Sequence, residues 1–177
     1  AWSGGLAGAY GLRLFLGLVV CMIGDIALIP KGRTWFLAGL VSFLLGHVLY
    51  VLAFNGLVYL TSLNLLVVAV ILVTSGGVLA WLWPHLGSMR IPVLAYVAVI
   101  SAMVWSAWAV FFNSGLPLTA RLLIGLGATC FYFSDIFVAR NAFVKEGFAN
   151  KAWGRPLYYL GQFLLAFSVA AVGQGGS

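Results

Sequence analysis

Acidic residues are nearly missing from this chain: Asp25, Asp135 and Glu146 are the only three, and charged residues of both signs make up 7% of its 177 residues. An ordinary soluble domain carries about 25%. Without charge there is no polar face to turn toward water, so a water-soluble fold is excluded and lipid is the solvent. Cysteine is also scarce. Cys21 and Cys130 lie inside apolar runs, where a thiol behaves as a small hydrophobe, and no cluster of His or Cys accompanies them. A disulfide, a metal site or a bound cofactor is therefore not expected. The segment from Ala1 to Gly11 is Gly-rich and lacks a basic stretch, so it does not read as a signal peptide. No repeat, low-complexity tract or linker divides the chain, and residues 1–177 read as a single transmembrane domain.

What is abundant is hydrocarbon, since 64% of the residues are hydrophobic. A helix needs about 20 apolar residues to cross a bilayer. Six runs qualify, near residues 12–29, 35–54, 62–83, 92–112, 118–140 and 156–172. They predict an all-α, polytopic transmembrane helix bundle. Pro30-Lys31-Gly32-Arg33 stops the first run and Asn55-Gly56 the second. Ser62 is a candidate N-cap for the third, Pro84 closes it, and Pro92 sits in the first turn of the fourth. Connections of about 5 to 8 residues join the first five, so successive spans should lie antiparallel and adjacent. A longer loop from Asn141 to Arg155 precedes the sixth, and the tail beyond Val172 reads as unstructured.

The net charge of +6 has a topological explanation and needs no nucleic acid. Lys31 and Arg33 fall in the first loop, Arg90 in the third, and Arg140, Lys145, Lys151 and Arg155 in the fifth. The positive-inside rule then places loops 1, 3 and 5 in the cytoplasm and both chain ends outside, as in an integral protein of a bacterial inner membrane. The same basic rim offers a lipid phosphate its partners, although topology alone accounts for it. Arg13 and Arg121 are exceptions near outer ends, where long side chains snorkel to the interface. Trp105 and Trp108 suit an outer aromatic belt, and Trp35, Trp83 and Trp153 an inner one. Gly17 with Gly24, and Gly39 with Gly46, mark faces where helix backbones approach closely.

Two acids interrupt the spans. Asp25 precedes the inner end of its helix by about four residues, or roughly 6 Å, and Asp135 by about five, or roughly 8 Å. Both helices run in the same direction, so the carboxylates lie at similar depth beneath one leaflet. An ionisable group there costs several kcal/mol unless it is paired or meets water, which makes the pair a functional site by default; the alternative is that each joins neighbouring helices by hydrogen bonds. The sixth span starts on the same side and carries Tyr158 and Gln162 one turn apart on one face. Tyr132 and Ser134 flank Asp135 on its own helix. His47 lies deeper, about twelve residues or roughly 18 Å from the inner end, as a buried imidazole or as a wall of the site that polarises water.

These segments resemble the YhhN-like lysoplasmalogenases. Cys21-Met22-Ile23-Gly24-Asp25 carries that family's Gly-Asp signature, and Phe43-Leu44-Leu45-Gly46-His47-Val48-Leu49-Tyr50 looks like its Phe…Gly-His…Tyr segment. Ser134-Asp135 matches its Ser-Asp pair, and Tyr158-Tyr159-Leu160-Gly161-Gln162 its last-helix Tyr-Tyr…Gln. Members usually carry two further spans, with a Lys-Pro element, before the Gly-Asp helix; this sequence begins at that helix, and it is expected to be either part of a longer chain or a reduced relative. The resemblance implies hydrolysis of the vinyl ether of a lysophospholipid to a fatty aldehyde and a glycerophospho-ethanolamine or -choline. It implies Asp25 and Asp135 as the catalytic pair, with His47, Tyr50, Tyr132, Ser134, Tyr158, Tyr159 and Gln162 supporting them. A protonated carboxylic acid would deliver a proton to carbon and an ionised one would stabilise the cation and activate water. Two other classes are compatible with the residues alone: a non-catalytic subunit with partners in a membrane complex, and a proton-coupled carrier. The carrier lacks the expected repeat symmetry and broken helices. An intramembrane aspartyl protease would show a Tyr-Asp pair, whereas Ser134 precedes the second acid.

Overall fold

The apolar runs are long and carry few charges, so in lipid each must satisfy its own backbone as a helix. The computed structural model describes residues 3–58, 64–112 and 115–174, with side chains from residue 8 onward. It contains α1 (Ser3–Ala27), α2 (Arg33–Asn55), α3 (Leu65–Leu82), α4 (Arg90–Phe111), α5 (Leu118–Ala139) and α6 (Phe148–Gln174). Two short 3-10 turns, Trp83–His85 and Gly87–Met89, join α3 to α4, and a π-helical turn, Arg140–Val144, follows α5. Among the described residues, six helices are long and apolar enough to cross a membrane. The chain is a polytopic, all-α integral membrane protein.

Five of the helices close into a ring in the order α1, α2, α4, α5, α6 and back to α1. The expectation that successive spans are spatial neighbours fails at α3. That helix packs on the outside of α4, while α2 packs directly against α4. Its surface explains why: Leu65 is 75% exposed and Val73 74%, so α3 is apolar all round and gives most of its surface to lipid.

Glycine sets the tightest seams. α1 and α2 run antiparallel, and a Cβ at Gly46 would meet the Gly17 carbonyl oxygen at 3.3 Å, as one at Gly39 would meet that of Gly24. The two glycine faces read from the sequence are thus one interface. α5 and α6 share a closer contact: a Cβ at Gly161 would stand 2.9 Å from the Gly127 carbonyl oxygen and 3.1 Å from the Phe131 amide nitrogen. Those obstacles are backbone, which cannot rotate away. Gly161→Ala should therefore destabilise the bundle by about 1–3 kcal/mol, read as a lower thermal midpoint in detergent, whereas Gly173→Ala, in open space, should not.

Several boundaries differ from the sequence reading. α1 begins at Ser3, well before residue 12, and Tyr10 is buried with its hydroxyl bonded to Ser168 Oγ at 2.5 Å. Asn64 caps α3, its side chain accepting from the amides of Leu66 and Val67; Ser62 lies outside the described residues. The predicted loop up to Arg155 is mostly ordered, because α6 starts at Phe148 and contains Pro156 inside it. The early turns are anchored by Asn150, which is buried, accepts from Arg140 Nη1 at 2.7 Å and donates to the Lys145 carbonyl at 2.7 Å. That tertiary anchor outweighs the helix-breaking tendency of proline. α6 runs to Gln174, past Val172.

Arg13 and Arg121 do more than reach an interface. Arg13 Nη1 donates to the Leu52 carbonyl in the last turn of α2, and Arg121 Nη1 to the Phe111 carbonyl at the end of α4. Each supplies a cation where a helix leaves unpaired carbonyls, an arrangement worth about 0.3–1 kcal/mol. The remaining cations gather at the opposite end. There Lys151 Nζ bonds Glu146 at 2.9 Å and, with Lys31, holds that carboxyl below its ordinary value. Trp35, Trp83 and Trp153 at this basic end are exposed, whereas Trp105 and Trp108 pack against the core and Trp108 donates to Thr129.

Candidate functional site

Each ring helix contributes a polar or aromatic side chain to one cluster, with the aspartates toward the basic end and His47, Tyr50 and Gln162 deeper in the bundle. On α1, Asp25 accepts a hydrogen bond from Tyr158 of α6, Oη to Oδ2, at 2.7 Å. One turn along α6, Gln162 Nε2 donates to that same Tyr158 oxygen at 2.9 Å, and its Oε1 accepts from Tyr50 Oη of α2 at 2.8 Å. The result is a directed chain from Tyr50 through Gln162 and Tyr158 to Asp25. Every proton in it points toward the carboxylate, a cooperative arrangement that fixes three helices at once.

Asp135 on α5 terminates a second, shorter arm. Tyr96 Oη of α4 donates to its Oδ2 at 2.5 Å. Both aspartates are partly buried. The buried Cys21 thiol lies beside Tyr50 and Gln162 and within electrostatic reach of Asp25 and Asp135.

His47 sits where the two arms approach. Its ring is fully buried and meets Phe131 at 4.7 Å, Tyr96 at 5.3 Å and Tyr50 at 6.3 Å between centroids, each at a steep angle. Phe131 also packs against Tyr158 and Phe43, so it forms the apolar floor of the cluster. Among the described residues, neither His47 nitrogen has a hydrogen-bond partner.

Of the residues read from the sequence, Asp25, His47, Tyr50, Ser134, Asp135, Tyr158 and Gln162 come together. Ser134 is buried, its hydroxyl within hydrogen-bond reach of Asp135 while also donating to the Phe131 carbonyl of its own helix. Two do not. Tyr132 turns away, its hydroxyl bonding Ser75 of α3 at 2.9 Å, and Ser75 in turn bonds Ser101 of α4. Tyr159 is 55% exposed and reaches the cluster only through the edge of Tyr158. Tyr96 is the member that the motifs missed. Its position gives a signal, since it lies six residues beyond Arg90, roughly 9 Å into the span and level with the acids.

Among the described residues, no group of three His, Cys, Asp or Glu side chains is placed to hold a metal ion. What the cluster offers is acid–base chemistry with tyrosine donors in a water-poor setting. On the outer surface of the bundle, an open hydrocarbon-walled groove of about 240 Å³ lies between α2 and α4, with Leu40 and Leu44 on one wall and Pro92 and Ala95 on the other.

The YhhN family model matches residues 1–169. The chain is 34% identical to the cattle protein named lysoplasmalogenase TMEM86A, over 88% of this chain and 64% of that one. It is 32% identical to the lysoplasmalogenase of Mycobacterium tuberculosis, over 80% of this chain and 53% of that one. Against the Escherichia coli protein named uncharacterized membrane protein YhhN the identity is 26%, over 96% of this chain and 79% of that one. The chain thus spans between about half and two thirds of the length of these two lysoplasmalogenases. No solved structure matches it.

Proposed function

The chain belongs to the YhhN family, and from that premise we propose that it hydrolyses the vinyl ether bond of a lysophospholipid, with Asp25 and Asp135 as its acid–base pair. What supports this reading is that each of the two carboxylates accepts a hydrogen bond from a tyrosine, Asp25 from Tyr158 and Asp135 from Tyr96, whose rings pack on Phe131 and His47 respectively, two rings in mutual contact. The relatives named lysoplasmalogenase support the substrate class.

The chemistry needs two carboxyl groups in opposite states. The protonated one gives its proton to the β-carbon of the vinyl ether, and the C=C pair becomes a C–H bond and an oxocarbenium ion. Water forms a C–O bond to that cation and passes a proton to the ionised carboxylate, leaving a hemiacetal. When the hemiacetal collapses, its C–O bond to glycerol breaks. The glycerol oxygen takes back that proton, and the hydroxyl proton of the hemiacetal returns to the first carboxylate. The sum is lysolipid plus water to aldehyde plus glycerophospho-alcohol, with both aspartates restored. Such proton transfers by positioned groups are worth about 10²–10⁴-fold.

A single-chain lipid suits the placement. Its ether lies just below the head group, at the depth of the acids, its chain lies along the apolar groove between α2 and α4, and its phosphate meets the basic rim. In this reading the basic end faces the cytoplasm. Purified protein in detergent should release fatty aldehyde from a vinyl-ether lysophospholipid and none from its saturated-ether counterpart, which has no carbon to protonate. Equal release from both, or none from either, would sink the proposal.

A further inference from the structure

His47 is a fully buried side chain with two polar atoms and, among the described residues, a partner for neither. An unmatched buried donor or acceptor costs about 1–3 kcal/mol, so a neutral imidazole, with one of each, favours a small polar guest. The surroundings limit its size and type. Phe131, Tyr96 and Tyr50 crowd the ring on three sides. The two tyrosine hydroxyls give their protons away, to Asp135 and to Gln162, so both oxygens act as acceptors toward their other neighbours, with the Cys21 thiol sharing that of Tyr50. A buried water typically makes about three hydrogen bonds. An imidazole and two accepting hydroxyls supply that number, in a position that borders both carboxylate arms.

We infer that His47 holds the water that captures the oxocarbenium ion, as a positioning residue between Tyr96 and Tyr50. This rests on the hydrolase reading and adds the identity of the water's holder. The water's oxygen bonds to the cationic carbon, one of its O–H bonds breaks, and the proton leaves to the ionised carboxylate; His47 neither gains nor loses charge over the cycle.

The test uses competition by methanol. If methanol captures the cation in place of water, the product is a mixed acetal that retains the glycerol, distinguishable from aldehyde by mass spectrometry. His47→Leu should lower aldehyde turnover by about 10²-fold with KM little changed, the scale of an ångström-level misplacement. It should also raise the acetal-to-aldehyde ratio several-fold. His47→Gln, which keeps a donor and an acceptor, should restore much of both values. If the leucine variant does not fold, the glutamine variant is compared with His47→Met at equal thermal stability, and the same difference in ratio is expected. An unchanged ratio in variants that still make aldehyde overturns the role of His47 while leaving the hydrolase reading in place. Absence of aldehyde from the parent protein overturns that reading, and this inference with it.

Discussion

Asparagine at Asp135 should reduce aldehyde release by about 10²–10⁴-fold, and asparagine at Asp25 should do the same. The substitution is nearly isosteric. In Asp135→Asn the amide oxygen still accepts from Tyr96, and in Asp25→Asn from Tyr158, so the helices remain tied. What disappears is the capacity to give up or take a proton. Variants that elute as monodisperse protein with the parent's thermal midpoint but lack turnover separate chemistry from assembly. A variant that keeps full activity removes its residue from the mechanism.

The second large effect is expected at Tyr158. Its hydroxyl is both the donor to Asp25 and the acceptor for Gln162, so Tyr158→Phe cuts the arm in the middle. A hydrogen bond to a charged group contributes about 1.5–3 kcal/mol, which corresponds to roughly 10- to 150-fold in rate. Gln162 then loses the partner of its amide and Asp25 its orientation, so kcat should fall more than KM rises. The neighbouring Tyr159→Phe is the control. Its side chain is 55% exposed, so the change should alter neither turnover nor stability. Equal losses in the two variants would mean that the arm does not orient Asp25.

The spans are legible in the sequence because long apolar runs are separated by proline, glycine and clustered basic residues, and because lipid leaves the backbone no alternative to helix. The early start of α6 is not legible. Pro156 imitates a helix start, and the buried Asn150 that holds the preceding turns looks like one more loop amide until its partners on Arg140 and Lys145 are known. The outward place of α3 is hidden for a related reason. Its apolar residues run all round, so no periodicity says which face meets protein.

The site is legible as far as depth arithmetic reaches. Asp25, Asp135, Tyr158 and Gln162 fall at compatible depths, and the structure links Asp25, Tyr158 and Gln162 directly. Helix rotation is the missing coordinate. Tyr132 lies within a turn of Asp135, yet α5 is flanked by α4 and α6, and Tyr132 bonds the outlying α3 instead. Tyr96 is uncharged and belongs to none of the motifs, so only its depth marks it.

The central claim is that Asp25 and Asp135 act as one unit on a vinyl ether. The most direct measurement is aldehyde release by the parent, Asp25→Asn, Asp135→Asn and the double variant under identical conditions. If the carboxylates share one proton-transfer cycle, the double variant should lose little more than the worse single one, since the second loss finds nothing left to remove. Losses that multiply would contradict the claim, because each aspartate would then contribute independently of the other.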